Sequence, residues 1–273
     1  MATAKVNGAE IHYQEEGSGP PIILSAGGLQ GLGSSYGPVI GPLSQEHRVV
    51  VYDRRFGGQS RSPVVVQTWD MVCDDVFGLM DVLGIDQAYL GGGSFGAAIS
   101  LGCAARRPER VRAIFPSNIA GGVICDGYLT GKLFKSMEMA AADGISSVVE
   151  AFDLDDRFSP FSPEIAQSDP QYRKTLEDME TDDFVQVMRD TIHALFEGPF
   201  PTLGMTAKGL KSIGVPAMVM PGENDVHPRG VAEMVHRLVP NCQWAEVRPH
   251  SEEPVKYSER VLAFLSAVEA NGH

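Results

Sequence analysis

The chain is 273 residues long, 43% apolar and 21% charged, with 35 acidic against 22 basic side chains and a formal charge of −13. That length suits one large α/β domain, or a core with a smaller insertion. So negative a surface disfavours nucleic-acid backbones, no apolar run approaches the roughly 20 residues of a bilayer span, and the N-terminus lacks the apolar stretch of a secretory signal. Four scattered cysteines (Cys73, Cys103, Cys125 and Cys242) contain no Cys-x-x-Cys pair. They read as reduced core thiols of a cytoplasmic protein. No metal or cofactor is expected, nor a membrane or nucleic-acid partner. The oligomeric state is left open.

In chain order, residues 11–14 alternate apolar and polar and predict an early antiparallel strand. Buried strands are expected at 21–25, 48–53, 87–90 and 111–115, with helices at 67–83 and 95–105 between them. Continuous apolar strands alternating with helices argue for a mostly parallel, doubly wound sheet covered on both faces. From about 126 to 204 no strand pattern is visible. Helical patterns take its place at 128–142, 145–152, 172–179 and 184–196. This stretch holds 16 acidic and 6 basic residues, so it carries −10 of the total charge. Strands return at 216–220 and 243–247, and an amphipathic helix closes the chain at 254–268. The simplest organisation is a core of residues 1–121 and 205–273 interrupted by a helical cap at 122–204.

The strongest chemical signal is Gly91-Gly92-Gly93-Ser94-Phe95-Gly96, which follows a strand and opens a helix. As G-x-G-x-x-G it would bind a dinucleotide, but the next strand ends without the acid that motif needs. As G-x-S-x-G it is a nucleophile elbow. Ser94 then occupies a strained turn where larger residues at 92 and 96 would collide, and the helix N-terminus faces the charge that develops during reaction. A bland reading, a serine capping a glycine-rich turn, also fits the pentapeptide alone.

A serine nucleophile needs a base, and the base an orienting acid, in the chain order serine, acid, histidine. Asp225 follows the strand at 216–220 and His250 the strand at 243–247, so both fall at the sheet edge where open α/β sites form. His227, two residues past Asp225, is the rival base, a wall of the site mouth or a helix cap; Glu223 is the fallback acid. Oxyanion donors are expected from the backbone N–H groups of Phe95 and, in the glycine-rich loop after residue 25, of Gly28. Candidate pocket residues are Leu29, Asn118, Met137, Phe184, Met188 and His227, although apolar side chains at helical spacing in a cap also serve simply to glue it down.

Taken together, these residues resemble the α/β-hydrolase superfamily over nearly the whole chain except the insertion, which sits where that family carries a cap. Asp53-Arg54-Arg55-Phe56-Gly57-Gly58-Gln59-Ser60 is similar to its D-x-R-G-x-G-x-S turn, with Phe56 where glycine is usual. Gly222-Glu223-Asn224-Asp225 resembles its acid loop and His250-Ser251-Glu252-Glu253-Pro254 its histidine loop. The stretch before the oxyanion loop reads Ala26-Gly27 where His-Gly is usual, and Arg248-Pro249 precede the histidine where small residues are common. Residues 52–55 and 92–96 are also similar to proline iminopeptidases, without their H-G-G-P-G loop. A serine at the elbow, where dehalogenases and epoxide hydrolases carry aspartate, implies an acyl-Ser94 intermediate and an ester or lactone of a small, largely apolar substrate. Amide cleavage by an amidase or iminopeptidase and carbon–carbon hydrolysis use the same residues. A binding protein or a lyase on this fold is the more remote alternative.

Overall fold

The computed structural model describes residues 2–28, 33–151, 161–197, 202–248 and 250–272. Eight strands, β1 (Ala2–Val6), β2 (Ala9–Glu16), β3 (Pro21–Ser25), β4 (Arg48–Tyr52), β5 (Ala88–Ser94), β6 (Val111–Ile119), β7 (Ala217–Val219) and β8 (Cys242–Trp244), form one sheet in the order β1-β2-β4-β3-β5-β6-β7-β8. The pairings β1–β2 and β2–β4 are antiparallel. The remaining pairings run parallel. This is the mostly parallel, doubly wound α/β sheet expected from the sequence, with β1 added at one edge.

Side chains of adjacent strand residues point to opposite faces, so each β-branched run feeds two cores. Ile22, Leu24, Val49, Val51 and Tyr89 pack with helices α1 (Gly37–Leu43) and, at the C-terminal end, Pro254–Ala270. Ile23, Val50 and Leu90 face the other way. There they meet α2 (Trp69–Val82) and α3 (Phe95–Arg106). The Thr68 side chain caps α2 by accepting from the Met71 N–H, which satisfies one of the open donors of its first turn.

Between β6 and β7 the described residues hold no strand, only an isolated bridge between Thr202 and Met205. They form α4 (Val123–Asp143), α5 (Ile145–Ala151), α6 (Pro163–Ser168), α7 (Pro170–Glu177), α8 (Thr181–Phe196) and α9 (Ala207–Ser212). Helix α10 (Arg229–Leu238) lies between β7 and β8, which makes the C-terminal helix α11. The helical stretch is tied to the sheet layer by polar bonds as well as by apolar packing. Trp69 Nε1 donates to Leu195 O at 3.0 Å, and Tyr172 Oη to Ser62 O at 3.1 Å. The Gln67 N–H donates to Thr191 Oγ1 at 3.1 Å. Among the described residues no helix is long and apolar enough to cross a membrane.

The loop after β4 carries a buried ion pair. Arg55 and Asp75 are 3% and 4% exposed, and the guanidinium meets the carboxylate at 2.5 and 2.6 Å through two nitrogens. Removing one partner leaves the other charge buried and uncompensated. Asp75→Asn is therefore expected to cost about 3–5 kcal/mol in urea unfolding, and a loss under 1 kcal/mol would contradict that role.

Candidate active site

The sequence Gly91 to Gly96 folds as the sharp strand-to-helix turn its composition suggests. Ser94 ends β5 and precedes α3 with φ +56° and ψ −117°. A Cβ at Gly92 would stand 2.3 Å from the carbonyl group of Gly96, and one at Gly96 would stand 1.8 Å from the carbonyl oxygen of Ser25. Both positions are closed to any side chain by backbone, which is why the turn carries glycine there. Gly27, just past β3, lies against the nucleophile: its Cβ would stand 3.0 Å from Ser94 Cβ.

The imidazole in hydrogen-bonding contact with Ser94 is that of His227. Its Nε2 is 2.8 Å from Ser94 Oγ, and its Nδ1 is 3.0 Å from Asn224 Oδ1. The Asn224 oxygen also accepts the backbone N–H groups of Val226 at 3.1 Å and His227 at 2.9 Å. This is an Asx-type turn, in which a short side chain mimics a backbone turn and aims the residue that follows. An acceptor at Nδ1 fixes the proton there, so Nε2 is left as the acceptor facing the serine hydroxyl. Burial lowers the His227 pKa below its usual value.

His250, expected from the sequence to be the base, occupies the same rim but a different position. Its ring stacks on Tyr36, with centroids 4.1 Å apart and planes at 22°, and meets Tyr257 edge-on at 5.6 Å. Its Cε1 is 3.7 Å from where a Gly93 Cβ would stand. No hydrogen bond joins it to Ser94 among the described residues, and its Nδ1 is buried without a partner. Burial drives its pKa down to about 4, against a smaller opposing effect of the Ser35 backbone. The physical reason for the departure is the aromatic grip: Tyr36 is fully buried and held by its hydroxyl to Ser25 O at 3.1 Å. Asp225, the expected acid, is exposed, and its carboxylate pairs with neither imidazole among the described residues. Its neighbour Asn224 stands in that place.

The other expected residues are distributed as follows. Phe95 opens α3 with its ring fully buried against Trp69, centroids 4.7 Å apart. Gly28 has φ +73°, and its carbonyl accepts from Arg54 Nη2. Leu29 lies outside the described residues. Asn118 has φ +47° and lines a cavity of about 420 Å³ with Pro221, Glu223, Asn224, Glu246 and Arg248. Met137, Phe184 and Met188 sit in the apolar cluster on α4 and α8 and do not line that cavity. Sequence reasoning missed Asn224, whose signal was an Asx-turn residue three places before a histidine, and Tyr36, for which there was no signal.

Residues 20–155 match a family model described as the alpha/beta hydrolase fold. The chain belongs to the α/β-hydrolase superfamily. It is 30% identical over 151 residues to a putative carbamate hydrolase, RutD, of Azorhizobium caulinodans, covering 55% of this chain and 56% of that one. It is 41% identical over 107 residues to a 2-hydroxy-6-oxo-6-phenylhexa-2,4-dienoate hydrolase of Comamonas testosteroni, 37% of each chain. The matches thus span about half or less of these relatives. Among solved structures, an enol-lactonase from Burkholderia xenovorans superposes with a TM-score of 0.69 at 22% identity, covering 97% of this chain and 100% of that one. At that identity the likeness shows the shared α/β-hydrolase fold.

The His250 environment generates a pH test. A histidine neutral in the fold at pKa about 4 and near 6.5 when unfolded binds more protons in the unfolded state between those values. Stability is then fully present above about pH 6.5 and lost as pH falls toward 4, by as much as about 3 kcal/mol. His250→Phe keeps the stack and removes the titration, so its stability-versus-pH curve from urea melts should be flatter over that interval. An unchanged slope would refute the assignment.

Proposed function

We propose that this chain is a serine hydrolase that cleaves a carboxylic ester or lactone of a small, largely apolar substrate through an acyl-Ser94 intermediate. The observation that carries the reading is the Ser94 hydroxyl, held on a strained elbow 2.8 Å from an imidazole nitrogen whose partner nitrogen is already committed. His227 Nε2 takes the Ser94 proton as the oxygen attacks the carbonyl carbon, then returns it to the leaving group. Water, activated by the same nitrogen, releases the acyl group. Asn224 orients the ring and selects its tautomer. The backbone N–H groups of Phe95 and Gly28 receive the developing oxyanion, aided by the N-terminal dipole of α3. Residues 122–204 act as a cap over a core of residues 1–121 and 205–273, and the partner is a small molecule.

Two further readings have specific support. Relatives named as dienoate and carbamate hydrolases keep carbon–carbon and amide-type bonds as alternative substrates for the same nucleophile. For the base, the chain-order triad Ser94–His250–Asp225 has in its favour the position of His250 beside Gly93. No hydrogen bond joins the His250 ring to Ser94 among the described residues, and its Nδ1 has no partner there. The geometry supports His227 and Asn224 better.

A fluorophosphonate probe should label the wild type and spare Ser94→Ala; labelling of that variant would overturn the hydrolase reading. With p-nitrophenyl butyrate, His227→Ala should lose about 10⁴-fold or more in kcat, whereas His250→Ala retains turnover. The opposite pattern would move the base to His250. Because burial lowers the His227 pKa, kcat/KM should rise with pH through an acid limb centred below 6.5, the base being active only when neutral.

A further inference from the structure

Asp53, Arg54 and Arg55 are adjacent in sequence, but their charges meet different fates. Asp53 accepts the backbone N–H groups of Gly33 at 2.8 Å and Gln59 at 3.0 Å, and contacts His12 Nδ1 at 3.0 Å. Arg55 takes both oxygens of Asp75. The nearby carboxylates are therefore engaged. Arg54 is 3% exposed and, among the described residues, forms no ion pair. Its Nη2 donates to the Gly28 carbonyl, its Cζ lies 4.4 Å over the centre of the Phe95 ring, and its Nε is buried without a partner. Desolvation lowers its pKa only to about 10, so it stays a cation at neutral pH.

A buried cation without a carboxylate is an expensive way to fill space, and an apolar side chain of similar volume would serve stability better. What Arg54 touches explains its presence. Gly28 and Phe95 carry the two candidate oxyanion donors, and they come from separate segments, the loop after β3 and the first turn of α3. Glycines at 27 and 28 give the backbone at those two positions little stiffness of its own. Donors that must be ordered during the reaction lose most of their value; donors held in advance keep it. We propose that Arg54 is the positioning residue of the oxyanion pocket: one planar guanidinium fixes the Gly28 backbone and the Phe95 side chain together and places a fixed positive charge behind the developing anion. The planar group is suited to both contacts at once, an in-plane hydrogen bond and a face laid over the ring, which the rounded ammonium of lysine cannot make together.

This inference rests on the hydrolase reading, and its test separates the two. Wild type, Arg54→Met, Arg54→Lys and Ser94→Ala are assayed with p-nitrophenyl butyrate. The first three are also assayed for inhibition by an alkyl trifluoromethyl ketone, to whose carbonyl carbon Ser94 Oγ adds, giving a hemiketal oxyanion while the serine proton passes to the imidazole. Loss of preorganised donors should lower kcat about 10²-fold in Arg54→Met with KM within about twofold, and weaken the ketone by the same factor. Arg54→Lys keeps the charge without the planar contact and should fall about tenfold in both. If Arg54→Met does not fold, Arg54→Lys alone decides. Wild-type kcat and ketone affinity in the variant that folds would overturn the positioning role. So would a rise in KM without a fall in kcat. Full activity in Ser94→Ala would instead sink the hydrolase reading.

Discussion

The left-handed backbone of Ser94 is the constraint on which the remaining architecture of the site depends. A non-glycine residue at φ +56° stores strain that persists only where its surroundings over-determine it. They do so here from two sides. Gly96 is pressed against the carbonyl of Ser25 at the end of β3, and Gly92 against Gly96 across the turn. The turn cannot relax without moving a central strand, and the strand is held by parallel neighbours on both edges, β4 and β5. The backbone thereby fixes where the side chain of Ser94 leaves the turn, and the hydroxyl is met there by His227 Nε2 at 2.8 Å.

A second layer fixes the loops around it. Tyr36 donates to Ser25 O, and Ser25 Oγ is 2.9 Å from the Tyr52 hydroxyl, so the ends of β3 and β4 are stitched by buried hydroxyls. Burial pushes both tyrosine pKa values up, which keeps them neutral donors at any working pH. Asp53 then gathers the segment at Gly33 and the turn at Gln59 onto one carboxylate. Ser25, Tyr36, Tyr52 and Asp53 are all buried, and polar interactions between buried groups gain strength from the low dielectric.

Much of this was legible in the sequence because the strands are written in β-branched runs with helices of clear period between them. The elbow was legible because its glycines answer to backbone collisions, which are local. Helix α1 was not, since Gly37, Pro38, Gly41 and Pro42 all argue against a helix; it forms because Val39, Ile40 and Leu43 are buried. Strand β1, five residues with a single β-branched pair, owes its existence to pairing with β2. The histidine pair marks the sharper limit. Chain order and strand ends pointed to His250 and His227, but which ring faces the serine is decided by stacking on Tyr36 and by the turn at Asn224, neither of which leaves a spacing in the sequence.

The exchange of an amide for a carboxylate behind the imidazole has an electrostatic consequence for the proposed reaction. Asn224 sets the tautomer as well as an aspartate would, but it carries no charge to stabilise the imidazolium formed when Ser94 attacks. The transition state is an ion pair, cation on the ring and anion on the substrate oxygen, and stabilisation withheld from one pole must be supplied at the other. The interior of this site is arranged in that sense. In the proposed site the helix N-terminus at Phe95 and the buried cation of Arg54 would stand behind the anion, and of the two buried carboxylates in this region Asp75 is paired with Arg55 while Asp53 is held by backbone N–H groups and His12. For the proposed reaction, a base of lowered pKa with its positive groups on the anion's side would favour substrates whose leaving group needs little protonation. Activated esters have that character, and simple amides do not.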